Sequence, residues 1–188
     1  MTSKSPKNRI LETASRLFYA QGYNATGINQ ILDEAKVAKA SLYKHFGSKD
    51  ELGIAYIKAS REAWFDALNS FLEKKSTSTE KLLSCFDFLE QNLRLNNYRG
   101  CRFINLLAEV SEQNAEMRKE ILGHKTNLRS FFKKLVNEIV EDRTIANQIA
   151  DSVLLLFEGA VVESKIHLDA WAVKTAKKTV HILLNNTA

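Results

Sequence analysis

The chain holds a single proline, Pro6, and behind it apolar residues recur at intervals of three and four almost to the C-terminus. A proline inside a helix removes a hydrogen bond and clashes with the preceding turn, so its absence leaves long helices unopposed. Only seven glycines are present, and Leu, Ala, Lys and Glu are abundant. That combination predicts an all-α protein. At 188 residues the chain is long enough to bury a sizeable apolar core.

The punctuation divides this pattern. Ser5 followed by Pro6 is an N-cap with proline at the first helical position. Ile10, Leu11, Ala14, Leu17 and Phe18 carry the first helix, and Gly22 stops it. Thr26 is placed to cap a short second helix whose inward residues are Ile28, Ile31 and Leu32. A tight turn at Ala35-Lys36-Val37 leads to a third helix ending at Gly47. Ser48-Lys49-Asp50-Glu51 then reads as a capping box for a long fourth helix. The clearest loop is KKSTST. Thr77-Ser78-Thr79-Glu80 opens the next helix, and Asn96 to Gly100 breaks it. Further helical patterns follow at Phe103–Val110, about 115–140, about 144–166 and about 170–185.

The third helix is unusual. Leu42 and Phe46, four apart, share one face and belong in a core. The other face carries Lys39, Ala40, Tyr43 and Lys44, with His45 beside it, and no acidic residue until Asp50. Two short helices joined by a tight turn form a helix-turn-helix, whose second helix lies in the major groove of DNA. Small residues at its start let the backbone approach base edges. Lysines neutralise phosphates or reach guanine acceptors, and a tyrosine hydroxyl donates to a phosphate. Charge agrees in sign: the net charge is +5, and residues 1–60 carry nine Lys/Arg against five Asp/Glu. The competing reading is a solvated helix with incidental lysines.

The stretch ILETASRLFYAQGYNATGINQILDEAKVAKASLYKHFGSKDEL resembles the DNA-binding domain of TetR/AcrR-family transcriptional regulators. The resemblance implies a homodimeric repressor on a palindromic operator, released by a small-molecule effector held in the C-terminal domain. It divides the chain at 48/49: residues 1–48 bind DNA, and residues 49–188 bind effector and dimerise. By position it implies DNA contacts at Thr26, Lys39, Ala40, Tyr43, Lys44, His45 and Lys49, and Lys36 joins them as a separate candidate phosphate contact. Thr26 serves there as cap and phosphate contact together, while His45 has core packing against Phe18 as an equal alternative. Lys36 stands where the family often has Gly. If that turn needs positive φ, lysine costs on the order of 1 kcal/mol, with a phosphate contact as possible compensation. Gly27 replaces a hydroxyl residue common in the family.

Dimers set two recognition helices about 34 Å apart. Ile149, Val153, Leu156 and Ala160 stripe one helix; Ala172, Ala176, Val180 and Leu183 stripe the last. Periodicity alone favours monomer core, and the resemblance favours a dimer interface, with Gly159 allowing close approach. Trp64, Phe65, Phe86, Phe103, Leu107, Phe131 and Phe157 supply surface for a pocket, with Glu109, His124 and Glu158 as polar contacts. For Glu158 a basic partner on a neighbouring helix is the competing reading.

Enzymatic chemistry finds no constellation. His45, His124, His167 and His181 lack metal-ligand spacing, and no Gly-rich phosphate loop or G-x-S-x-G is present. No cofactor is expected. Cys85 and Cys101 read as small core hydrophobes, with a redox role for Cys101 as the alternative. No uninterrupted apolar run approaches the ~18 residues of a membrane span. The N-terminus has no apolar signal segment. The expected location is therefore the cytoplasm.

Overall fold

Helix α1, Pro6–Gln21, starts where Ser5 accepts a hydrogen bond from the Asn8 amide and ends at Gly22, whose φ of 100° few other residues tolerate. These features come from a computed structural model that describes residues 4–186. The remaining helices are α2 (Ile28–Ala35), α3 (Lys39–His45), α4 (Lys49–Leu72), α5 (Ser78–Leu95), α6 (Arg102–Glu109), α7 (Ala115–Asn137), α8 (Arg143–His167) and α9 (Trp171–Asn185). No strand occurs among the described residues.

Two compact units result. The first runs through Ala63 and takes in Arg102–Gly123; the second is Trp64–Cys101 with His124 onward. The grouping differs from a division at 48/49. The first unit keeps the start of α4 because Leu52, Tyr56 and Ile57 are buried with Ile10, Phe18, Ile31 and Leu42. Phe18 holds this core between two rings, tilted against Tyr23 at 5.0 Å and edge-on to Tyr56 at 5.6 Å. Gly53 permits close packing here, since a Cβ would come within 2.7 Å of Met117 and 3.1 Å of the Tyr23 ring.

Two caps differ from expectation. Gly27, not Thr26, is the N-cap of α2. At α4, Ser48 accepts from the Glu51 amide, but the Glu51 carboxylate returns to the Gly47 amide, one residue earlier than a capping box requires. The box at Thr77 and Glu80 is complete. α7 passes through Gly123 without a break.

The second unit packs α8 and α9 together and both against α5. Its centre is aromatic: Phe86, Phe132 and Phe157 are buried, with Phe157 5.6 Å from Phe86 and 5.3 Å from Phe132. α8 is long and apolar enough, by length and composition, to cross a membrane. Part of that character is core: Ile149, Val153, Phe157, Ala160 and Val161 are buried within the unit. Phe132→Ala removes a fully buried ring. We expect it to cost about 3–5 kcal/mol, measured by urea unfolding, with a lowered midpoint and an unchanged slope.

Candidate nucleic-acid interface

α3 is held by the residues it hides. Leu42 is 0% and Phe46 4% exposed, and the helix packs on α1 and α2. Burying those two positions turns the opposite side outward. Lys36, Lys39, Ala40, Lys44 and His45 are all exposed, and Tyr43 is 49% exposed. His45 thus lies on the surface rather than in the core beside Phe18. Among the described residues no side-chain hydrogen bond or ion pair ties down this face: the salt bridges of α1 and α2 join Lys4 to Glu12 and Arg16 to Glu34 and leave Lys36, Lys39 and Lys44 aside. A surface with several cations and no carboxylate among them is electrostatically incomplete, and a polyanion completes it.

The turn that aims α3 is built on a left-handed residue. Lys36 adopts φ 54° and ψ 50°, and its amide and that of Val37 bond back to the Leu32 carbonyl, closing the end of α2. The positive φ on which the expected strain depended is therefore present. A non-glycine residue there costs about 1–2 kcal/mol.

Two of the expected contacts have other partners. Thr26 is fully buried, and its hydroxyl donates to the Gly22 carbonyl at 2.6 Å. It stabilises the loop before α2 from inside. Lys49 is half-buried, with its ammonium 4.4 Å from the centre of the Tyr23 ring. Burial lowers its pKa, partly offset by the Asp50 and Glu109 carboxylates. Tyr23 donates to Asp50 at 2.5 Å. Its own pKa is raised, first by burial and then by that bond. Lys49, Tyr23 and Asp50 thus form a cluster supporting the start of α4. Sequence spacing placed Lys49 near DNA, but nothing in it announced the ring that covers it.

The expected pocket residues are dispersed. Phe103 and Leu107 belong to the first unit, Phe103 buried. Glu109 also lies there and accepts a hydrogen bond from the Asn24 amide. In the second unit Phe86 and Phe157 are core. Trp64, Phe65 and His124 form a ring group, with His124 edge-on to Trp64 at 5.5 Å and tilted against Phe65 at 5.7 Å; Phe131 is 6.3 Å from Phe65. Glu158 has a basic partner, Lys125, at 2.6 Å and 2.7 Å. The Lys125 ammonium is also 3.5 Å from the Cys101 sulfur. Cys85 is buried, which pushes its thiol up to about 12. A cleft of about 370 Å³ between α4, α5 and α7 includes Phe131 alone of the expected lining.

Most residues of the expected dimer stripes lie in the chain's own core. Ile149, Val153, Ala160, Ala172, Ala176 and Val180 are buried within one chain, and Leu156 and Leu183 partly so. All of these but Leu183 belong to the α5–α8–α9 core or pack against it. A second apolar stripe on α8 faces outward instead: Leu155 (72% exposed), Gly159, Val162 and Ile166, spaced four, three and four. On α9, Trp171 and Ile182 are exposed as well. The sequence carried both stripes on α8 but nothing to rank them.

Comparison with known proteins identifies the fold and the family. Residues 10–56 match the model of bacterial regulatory proteins of the tetR family, and residues 78–180 match the tetracyclin repressor-like C-terminal domain. The HTH-type transcriptional regulator YxaF of Bacillus subtilis is 29% identical over 180 residues, covering 90% of each chain. The negative transcriptional regulator IcaR of the Staphylococcus aureus biofilm operon is 24% identical over 187 residues, covering 95% of this chain and 97% of its own. A TetR-family regulator from Streptomyces coelicolor superposes with a TM-score of 0.88 at 23% identity, covering 97% of this chain and 95% of its own. Members of this family are transcriptional regulators rather than enzymes. With both its recognition domain and its C-terminal domain matched, the chain belongs to the TetR family of DNA-binding transcriptional regulators.

Proposed function

We propose that this regulator is a homodimeric, cytoplasmic repressor that binds a palindromic operator and leaves it when a small molecule binds. The observation that carries the reading is the exposed, uncompensated basic face of α3. Lys39, Ala40 and Lys44 read bases in the major groove, and Tyr43, His45 and Lys36 contact phosphates. Thr26 and Lys49 act behind them as supports. The negative regulator among its relatives favours repression.

The outward stripe of α8 supports the dimer. One apolar face satisfies the chain's own core, and the second, Leu155-Gly159-Val162-Ile166, remains for another copy. A patch of that kind on a soluble helix marks an association surface. Gly159 has nothing within 4 Å of where its Cβ would be, so a partner helix can approach closely. The effector is an apolar or aromatic small molecule, recognised by the partly exposed rings of Trp64, Phe65 and Phe131 beside His124. It acts by population shift, binding more tightly to a state whose recognition helices no longer match the groove spacing. α4, which begins in the first unit and ends in the second, carries the change.

Selection from a random duplex library should enrich a palindrome, and Tyr43→Ala should weaken its binding. Four phosphates neutralised per protomer give a slope of log affinity against log salt of about −7. A library with no enrichment at low salt, using protein refolded free of ligand, would sink the operator reading. Lys36→Gly removes the left-handed strain and should stabilise the fold by about 0.5–1 kcal/mol while weakening operator binding several-fold. Full affinity in the variant would show that Lys36 touches no phosphate. Val162→Glu should convert the dimer to a 21.3 kDa monomer in sedimentation, with unchanged helical circular dichroism. A variant that stays dimeric would remove α8 from the interface.

A further inference from the structure

Outside the recognition face, the most interlocked polar groups of the first unit join the loop after α1 to the segment linking α6 with α7. Glu109, the last residue of α6, accepts a hydrogen bond from the Asn24 amide at 2.7 Å. The Asn24 side-chain amide returns one to the Glu109 carbonyl at 3.0 Å. Gly22 makes room for this pair, since a Cβ there would stand 2.8 Å from the Glu109 carboxylate. Five residues further on, Asn114 donates to Asp50 at 2.9 Å and accepts from the Met117 amide at 3.2 Å, so it caps the start of α7 while holding the start of α4. The other Asp50 oxygen receives the Tyr23 hydroxyl.

Residues 109–114 therefore grip the chain on both sides of the helix-turn-helix: at Asn24, just before α2, and at Asp50, just after α3. A polar cleft of about 640 Å³, bordered by Tyr23, Asp50, Glu109 and Asn114, lies against this joint. Beside the close approach of Met117 and Tyr23 at Gly53, hydrogen bonds hold this joint at Asn24 and Asp50, and such bonds break and reform at modest cost.

We propose that Glu109 is a positioning residue for operator binding, clamping the loop before α2 through Asn24 so that α3 keeps one orientation relative to α6 and α7. Release of this clamp gives a state in which each α3 still reads its half-site but the two no longer meet a fixed half-site spacing. The proposal rests on the operator reading above and touches no residue of the recognition face.

The test compares the wild type with Glu109→Gln, which keeps the shape and one acceptor, and with Glu109→Ala. Amide hydrogen exchange without DNA comes first. In Glu109→Ala, exchange at residues 22–26 should rise roughly tenfold or more, with the buried amides of α1 unchanged and the melting temperature nearly so. Glu109→Gln should fall between. Binding is then measured to a selected operator, to a single half of it, and to operators lengthened or shortened by one base pair between halves. In Glu109→Ala the half-site affinity should stay within about twofold, the full-operator affinity should drop about tenfold, and the penalty for altered spacing should flatten.

Unchanged exchange in Glu109→Ala would overturn the clamp. Equal losses on half-site and full operator, or an intact spacing preference, would overturn the positioning role and leave Glu109 a contact or folding residue. A wild type that selects no DNA sinks the operator reading and the operator part of this proposal with it; the exchange arm still accepts or rejects the clamp.

Discussion

The burial of Leu42 and Phe46 is the constraint on which the DNA-reading surface depends. α3 has only seven residues and no side-chain cap, too short to hold a helix by itself. Its stability comes from packing two apolar side chains on α1 and α2. Once those point inward, helical geometry puts Lys39, Ala40, Tyr43 and Lys44 on the outside. Function and folding are thus not separable in this segment: the residues proposed to read DNA are presented by residues buried in the core. The left-handed Lys36 belongs to the same bargain, because it sets the angle at which α3 leaves α2.

α8 poses the opposite problem. Its apolar residues outnumber what one helix face can use. Ile149, Val153, Phe157 and Ala160 enter the core, while Leu155, Val162 and Ile166 stay in water. Its hydropathy alone matches a membrane helix, yet a helix with one face in a protein core and another against a partner has the same composition. The proposed dimer accounts for the excess without a bilayer.

The legibility of these features in the sequence follows from range. Local signals were readable: the Ser5 and Thr77 caps, the Gly22 stop, the turn at Lys36 and the two faces of α3 all depend on residues within a few positions of one another. The choice between the two α8 stripes was not readable, because each has helical spacing and only tertiary packing ranks them. Glu109 looked like a pocket residue because its partner, Asn24, lies 85 positions away. Lys49 looked like a phosphate ligand because position near a helix start is visible in sequence, whereas the Tyr23 ring above it is a product of the fold. Thr26 had the right chemistry for a cap but is one residue too early, and its hydroxyl turned to Gly22 instead.

The two kinds of joint in the first unit differ in what they permit. The core around Phe18 and Tyr56 is apolar and closely packed, so displacing it exposes large rings to water and costs several kcal/mol. The contacts made by Glu109 and Asn114 are hydrogen bonds beside an open cleft, and water can replace them with little net loss. A regulator must move its reading heads without unfolding them, and a ligand can shift such an equilibrium only by its difference in affinity for the two states, typically a few kcal/mol. That amount is too small to break the apolar core and sufficient to break a polar clamp. The placement of polar bonds at Asn24 and Asp50, the two ends of the helix-turn-helix, therefore puts the yielding points where a shift in orientation leaves the recognition helix itself intact.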